Sequence, residues 1–237
     1  MKADLEIRLR AGAGGRVDAS GQLAAAPLWC RWDGDTLWIV GSAASPVGQD
    51  DVRIRLEVGA GVHARVRTVA AMVLYAARGH GSSLHTEIRV APDASLHWAP
   101  EPVIITRRAD HRSTTLVEAS AGATVTVDEL VVDGRNDDDR GGRLVSELGL
   151  TLDGVTSLRS SFDTATPGWN GPGGTDGARC LGTRLAVGHP NEAVPTTTAT
   201  PSARAGLLRP ERGGLLAVAV GDDPAGTRSE IERLLPH

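Results

Sequence analysis

Apolar and polar residues alternate along much of the first two thirds of the chain. In the segment DVRIRLEV, residues 51–58, every second residue is apolar and every residue between them is charged. The segment DLEIRLR alternates in the same way from Leu5 to Leu9, and DTLWIV, residues 35–40, is a further short apolar run. Because the side chains of a strand point alternately to its two faces, this period of two predicts short β-strands with one buried face.

A repeated design is superimposed on these strands: one strand ends, a tight turn of small residues comes next, and a new alternating strand begins. The turn residues Gly61, Asp93 and Gly122 are 32 and 29 residues apart. Such a period is typical of stacked units that bury a core only by lying on their neighbours. The spacing is compatible with a β-helix-like stack or with a sandwich. The three segments are VGAGVHARV (58–66), VAPDASLHW (90–98) and EASAGATVTV (118–127).

The sequence as a whole predicts a mainly β protein. We expect a stacked β-helix-like or layered β scaffold with a few short helices, forming a single domain over residues 1–237. One of the helices is predicted at the C-terminus, where Asp223 is a suitable N-cap and Pro224 suits the first turn. The apolar residues that follow these two recur at helical spacing, which predicts a buried helix face.

Other segments are less regular. RTVAAMVLYAARG, residues 67–79, combines alanines that favour a helix with Val, Leu and Tyr that favour a strand, so both structures stay open. The Gly, Pro and Thr content predicts flexible loops near residues 167–177 and 189–206.

The stretch LHWAPEPVII, residues 96–105, places two prolines around a carboxylate. Proline cannot donate to a β-ladder and restricts the residue before it. Pro100-Glu101-Pro102 is therefore predicted to be a stiff break, the corner where one layer turns into the next. Glu101 is expected to have a structural role there or to act as a carboxylate ligand or partner contact.

Composition and charge narrow the class of function. The net charge of -4 gives no global attraction to nucleic acid or to an anionic membrane. The two cysteines, Cys30 and Cys180, are too few for a disulfide framework and are expected to be buried, inert thiols. The N-terminus lacks the apolar core of a signal peptide, and no window reaches the roughly 18 apolar residues of a spanning helix. We expect a cytoplasmic protein with no nucleic-acid or membrane partner.

Motifs for catalysis or tight metal binding are absent from the sequence. HExxH, CxxC and GxSxG patterns are missing, and GPGG at residues 171–174 is not followed by GK[ST]. The seven histidines, including His97 and His111, are predicted to lie on the polar faces of strands. The triple acid at residues 137–139 lacks the spacing of an EF-hand and is read as a solvated turn. Repeated strands with polar faces favour a surface used for assembly over an active site.

Two long segments, residues 45–71 and 90–135, resemble the urease accessory protein D family (also called H). Residues 45–71, SPVGQDDVRIRLEVGAGVHARVRTVAA, are similar to a family stretch with a PxGxxxGD segment, an alternating strand and a turn. Residues 90–135 are closer still, since the family shows an "aL.W.PqptI" segment followed by a turn and an "E.l.lGR" strand end. The resemblance covers roughly residues 35–235. The matching positions are Leu96, Trp98, Pro100, Pro102 and Ile104 in the first motif and Glu129, Leu130, Gly134 and Arg135 in the second.

The resemblance implies a non-catalytic urease maturation factor. Members of the family are β-rich scaffolds that bind apo-urease and recruit accessory protein F, which holds the nickel-carrying GTPase G. It further implies no tightly bound cofactor or metal, with nickel(II) as a transient cargo on His and carboxylate ligands, because an ion held too tightly is not handed on. The residues implied for partner binding or for the nickel path are Trp98, Pro100, Glu101, Pro102, Glu129 and Arg135.

Two other functions are compatible with the same pattern. One is an assembly scaffold for a different metallocentre, of the iron–sulfur type. The other is an enzyme on a β-solenoid, for example one acting on polysaccharide. An enzyme of that kind would need a line of carboxylates and aromatic platforms on one face, and the aromatic content of 3% argues against it.

Overall fold

Two β-sheets packed against each other make up most of the computed structural model, which describes residues 1–76, 79–135, 140–189 and 195–236. A 3-10 helix spans Ala13–Gly15, and the α-helix α1 spans Pro224–Leu234. The strands are β1 Lys2–Ala11, β2 Val17–Gln22, β3 Ala24–Ala25, β4 Leu28–Asp33, β5 Thr36–Gly41, β6 Asp51–Val58, β7 His63–Thr68, β8 Met72–Leu74, β9 Ser82–Val90, β10 Ser95–Trp98, β11 Val103–Ile105, β12 Asp110–Ala119, β13 Thr124–Asp133, β14 Arg143–Leu152, β15 Val155–Asp163, β16 Cys180–Val187, β17 Thr197–Ala199, β18 Ala203–Leu208 and β19 Leu215–Gly221.

The two sheets differ in size but share one stacking pattern. Sheet A has the order β15-β14-β12-β9-β6-β1-β2. Sheet B has the order β17-β18-β19-β16-β13-β10-β7-β5-β4-β3, and β11 joins it by pairing with β13 and β8. Parallel pairs run from β14 to β1 in sheet A and from β13 to β5 in sheet B, and the strands of the two orders outside these ranges pair antiparallel. The predicted mainly β, stacked architecture is confirmed as a β-solenoid-like arrangement.

Tight turns at Gly61, Asp93 and Gly122 carry the chain from sheet A to sheet B. Their φ angles of 67, 57 and 78° lie in the left-handed region, which glycine adopts freely and aspartate tolerates. The turns stack on one another, because a Cβ added to Gly122 would lie 2.8 Å from Oδ1 of Asp93. The repeat in the sequence therefore marks the successive corners of the stack.

The Pro100–Pro102 stretch is not a corner between layers, contrary to the prediction. It separates β10 from β11, and both of these strands pair with the uninterrupted strand β13 of sheet B. Neither proline has a backbone N–H for the ladder. The backbone N–H of Glu101 donates to the Thr68 hydroxyl at 2.9 Å instead. The stretch is therefore a break within one sheet.

The inward side chains of both sheets meet in one large aliphatic core near the corner turns. Leu56, Ile88 and Val117 contribute from sheet A, and Leu96 and Val125 from sheet B. Each exposes 2% or less of its surface, and burying a side chain of this size contributes about 1.5–3 kcal/mol. A smaller apolar cluster lies towards the other end of the sheets and consists of Leu74, Ile105, Ala109, Val131 and Leu144.

The C-terminal helix is confirmed. The Asp223 side chain caps α1 by accepting a hydrogen bond from the Gly226 N–H at 2.8 Å, and Pro224 is the first helical residue. The face with Ile231 packs on sheet B over Gly182, where an added Cβ would lie 2.6 Å from Cδ1 of Ile231. A larger residue at position 182 would push the helix off the sheet.

The structure can be compared with the expectations for the less regular segments of the sequence. Residues 67–79 contain the end of β7 and the strand β8, with residues 77–78 outside the described part of the chain. The loop prediction for residues 189–206 is wrong where β17 and the first part of β18 form strands. Residues 190–194 of this segment are outside the described part of the chain. Residues 167–177 form a loop of nested turns. The triple acid lies at residues 137–139, also outside the described residues.

Candidate functional site: a polar pocket between the sheets

A group of polar side chains interrupts the apolar interior, between the large core and the smaller cluster. They occupy inward-facing positions on β9, β12 and β14, where strands of this kind otherwise carry aliphatic residues. With a carboxylate from sheet B they form the polar part of the lining of a pocket of about 300 Å³, whose other walls are mostly apolar. Uncompensated burial of such groups is unfavourable, so this polar pocket is a departure from what stability alone favours. Its polar lining includes Thr86, His111, Ser113, Thr115, Ser146 and Glu129.

Glu129 supplies that carboxylate. On β13 the inward positions before and after it are Val127 and Val131, both buried. Its Oε1 accepts a hydrogen bond from the Thr115 hydroxyl of sheet A at 2.6 Å. Burial raises the pKa of Glu129, and the hydrogen bond from Thr115 offsets only part of this effect. The residue keeps some accessible surface because it lines the pocket.

His111 is the second titratable group of the polar pocket. It is 2% exposed, and its Nδ1 lies 2.8 Å from the Ser82 hydroxyl of the neighbouring strand. Burial lowers the pKa of His111 to about 4. The prediction that the histidines lie on outward polar faces is therefore wrong for His111, which is a neutral imidazole inside the protein near neutral pH.

The buried imidazole has a consequence for stability against acid. The unfolded chain takes up a proton at His111 below about pH 6.5, whereas the folded protein does so only near pH 4, so stability falls as the pH is lowered through this window. We expect the wild type to lose about 3 kcal/mol more unfolding free energy than His111→Asn between pH 7 and pH 4. Denaturant titrations of both proteins at each pH measure this difference. Because both proteins contain Glu129, its contribution to the pH dependence of stability cancels. Equal pH slopes for the two proteins would contradict it.

The break in sheet B lies beside the polar pocket. Between the paired positions Trp98–Val127 and Val103–Val131, the interrupted strand has one more residue than β13. The next strand pair, β7 and β8, adds a further residue between Val66 and Met72. The break therefore widens away from β13, as a β-bulge repeated on neighbouring strands.

A smaller cleft of about 70 Å³ lies on the outer side of sheet B, beside α1. Pro100, Glu101, Glu129 and Leu130 line both this outer cleft and the polar pocket. Glu101 belongs to the break, and Glu129 projects inward from β13. The break thus brings two carboxylates to the place where an inner and an outer space meet.

An ion-pair network closes one side of the outer cleft. The buried Arg184 donates to the Asp128 carboxylate through Nε at 2.6 Å and Nη2 at 2.9 Å, and to the Leu235 carbonyl through Nη1 at 2.8 Å. His97 Nε2 lies 3.1 Å from Oδ2 of Asp128. Burial opposes ionisation of Asp128, but the hydrogen bonds from His97 and Arg184 and the charge of Arg184 outweigh it and lower the pKa.

The structure brings together four of the six residues singled out in the sequence. Trp98, Pro100, Glu101 and Glu129 line the polar pocket, and Trp98 is only 5% exposed, so it is a wall of the pocket and not a surface contact. Pro102 completes the break and accepts a hydrogen bond from the Met72 N–H. Arg135 is exposed beyond the end of β13 and lines neither space.

The other residues of the polar pocket are not among those predicted from the sequence. A signal for it exists: the inward positions of β12 read His, Ser, Thr, Val and Ala, so one half of the strand is polar on its buried face. Within the described residues, no three His, Cys, Asp or Glu side chains are grouped so that they could hold a metal ion. Cys30 and Cys180 are free and buried as predicted, and burial raises the pKa of Cys30 to about 12 and that of Cys180 to about 11.

The family model described as UreD urease accessory protein matches residues 3–236. The chain belongs to this family. The resemblance seen in the sequence is thereby confirmed, and it extends over nearly the whole chain.

Relatives named urease accessory protein UreD are similar along most of their length. The protein of Parafrankia sp. is 30% identical, with 98% of this chain and 86% of the relative covered. The protein of Frankia alni is 32% identical, with coverages of 95% and 78%, and that of Streptomyces coelicolor 30%, with 83% and 79%. No helix in the described part of the chain has the length and apolar character needed to cross a membrane.

Proposed function

We propose that this protein is a non-catalytic urease maturation factor: a scaffold that delivers nickel(II) into apo-urease together with accessory proteins F and G. Membership of the UreD family supports the role in urease maturation. The polar pocket supports the more specific role in nickel delivery. The cytoplasm suits this role, because the free thiols Cys30 and Cys180 are compatible with a reducing compartment.

The observation that carries the nickel proposal is Glu129 at the junction of the polar pocket and the outer cleft. It is an ionisable oxygen ligand at an inward position between two valines, where packing alone favours a third aliphatic residue. Imidazole, carboxylate and hydroxyl groups suit nickel(II). His111, Thr115 and Glu101 provide such groups in the two spaces, which share part of their lining.

Delivery of an ion requires weak, sequential ligands. A closed cage of three or four ligands would hold nickel(II) with the stability of a structural site and would not release it. One carboxylate at the break and another inside the sheets give single contacts instead. In this proposal the ion is a cargo that leaves with urease, and the protein keeps no resident metal.

The proposal is tested in a host that carries the urease operon with this gene deleted. We expect urease activity to be lost while apo-urease still accumulates, and to return when the intact gene is supplied on a plasmid. The nickel content of the purified urease should fall and recover in parallel with the activity. Full activity and full nickel content in the deletion strain would contradict the proposal.

A further inference from the structure

Three arginines lie close together on the outer face of sheet B. In the strand register, Arg31 of β4 is paired with Trp38 of β5, which is paired with Arg67 of β7. Arg65 is two residues before Arg67 on the same face of β7. All three arginines are exposed, and within the described residues none has a carboxylate at salt-bridge distance. In the part of the chain that the structure describes, no carboxylate is in direct contact with these three guanidinium groups.

The outer face of sheet A is built differently. Its strands carry cations and anions in cross-strand pairs, which is how a solvated sheet surface balances its own charge. Arg10 pairs with Glu57, Arg55 with Asp4, and Arg89 with Glu118 at 2.7, 3.0 and 3.2 Å. Sheet A also has exposed arginines without a salt bridge in the described part of the chain, Arg53 and Arg112, but on sheet B three such arginines are grouped on neighbouring strands.

Aromatic side chains accompany the arginines. Trp29 is two residues before Arg31 on the same face of β4 and is 40% exposed. Trp38 of β5 lies between Arg31 and Arg67 in the strand register. Exposing a tryptophan to water is unfavourable, and tryptophan and arginine are the residues most enriched at the energetic centres of protein interfaces. We call the surface formed by Trp29, Arg31, Trp38, Arg65 and Arg67 the arginine face.

The arginine face reaches the candidate site. Arg67 lines the outer cleft together with Glu101. The buried Arg184 of this cleft is paired with Asp128. The exposed Arg67 makes no salt bridge within the described residues, although Glu101 and Glu232 line the same cleft. The guanidinium of Arg67 repels a divalent cation and so opposes the attraction of the carboxylates that line the same cleft. A carboxylate from outside the chain would remove this barrier.

We propose that the arginine face docks an acidic surface of a protein partner, and that this docking neutralises Arg67 at the mouth of the outer cleft. The inference rests on the proposed function, in which the partner is a component of the urease machinery. Charge complementarity selects an acidic partner, and the exposed tryptophan provides the apolar anchor of the contact. The docked partner is then placed where an ion enters or leaves the scaffold.

The test measures binding of the purified protein to two separate probes, apo-urease and accessory protein F, by biolayer interferometry at low and high salt. The variant R31E/R67E reverses two charges of the arginine face. The matched control R53E/R112E reverses two exposed arginines of sheet A that make no salt bridge within the described residues. Thermal melts followed by circular dichroism show that both variants are folded, and R31Q/R67Q gives a milder change.

We expect R31E/R67E to weaken binding to at least one probe about tenfold or more, mainly through slower association with a smaller dependence on salt. R31Q/R67Q should be intermediate, and R53E/R112E should stay within about twofold of the wild type. Unchanged binding of R31E/R67E to every probe that the wild type binds would overturn the docking inference alone. A wild type that binds neither probe would overturn the proposed function, and the docking inference with it.

Discussion

Replacement of Glu129 by leucine is expected to reduce urease activation by on the order of 10- to 100-fold or more, the range measured when groups that support a metal ligand are removed. Leucine fills the inward position between Val127 and Val131 but offers no ligand atom. The measurement is urease activity and nickel content in the deletion strain that carries the variant gene. Glu118→Gln, on the solvated outer face of sheet A, is the matched control and should leave activation unchanged.

A measurement of stability shows whether the loss of urease activation comes from the missing carboxylate or from misfolding. Glu129→Leu leaves the Thr115 hydroxyl without its acceptor, so we expect the double variant T115V/E129L to be the more stable protein, by about 1–3 kcal/mol over wild type at pH 7. A variant that is more stable and inactive would show that the carboxylate is retained for function. Full urease activation by Glu129→Leu would remove Glu129 from the nickel path.

Replacement of Asp128 by asparagine is expected to destabilise the protein by about 3–5 kcal/mol, because it removes the carboxylate that holds the buried Arg184 through two charge-assisted hydrogen bonds. For a chain of this length the melting temperature should fall by roughly 10 °C. The same change loosens the C-terminal end of α1, since Arg184 also holds the Leu235 carbonyl. Thermal melts and denaturant titrations measure both proteins.

Two comparisons sharpen this second prediction. Glu118→Gln removes one partner of an exposed pair with Arg89 and should change the melting temperature by about 2 °C at most. The double variant D128L/R184M replaces both charges by apolar side chains and should recover much of the lost stability. A melting temperature for Asp128→Asn equal to that of the wild type would contradict a buried, charge-dependent anchor.

The proline break illustrates where reasoning from the sequence reached the right residues with the wrong geometry. Two prolines around Glu101 correctly predict a stiff interruption of a strand. Whether an interruption is a corner or a gap depends on the partner strand, and β13 continues past it in the same sheet. That pairing joins residues about 30 positions apart and is not written in the local pattern.

The polar pocket shows the same limit for the site. Glu129 was selected through a family resemblance, whereas His111 was expected on a polar surface. Both are inside, because the inward face of each strand is set by its register with the neighbouring strands of the same sheet. The arginine face likewise exists only after β4, β5 and β7 pair, because its residues lie up to 38 positions apart in the sequence.

The sequence by itself determined the alternating strands of the first two thirds of the chain, the tight turns between them, the capped C-terminal helix and the family. These depend on interactions within about ten residues: alternation of polarity, a left-handed turn residue, or a carboxylate on a helix N-terminus. The tertiary structure alone decided that the break opens between an inner and an outer space, that Glu129 meets Thr115, and that three arginines form one face. Those features are contacts between distant segments, and their geometry is fixed by the register in which the segments stack.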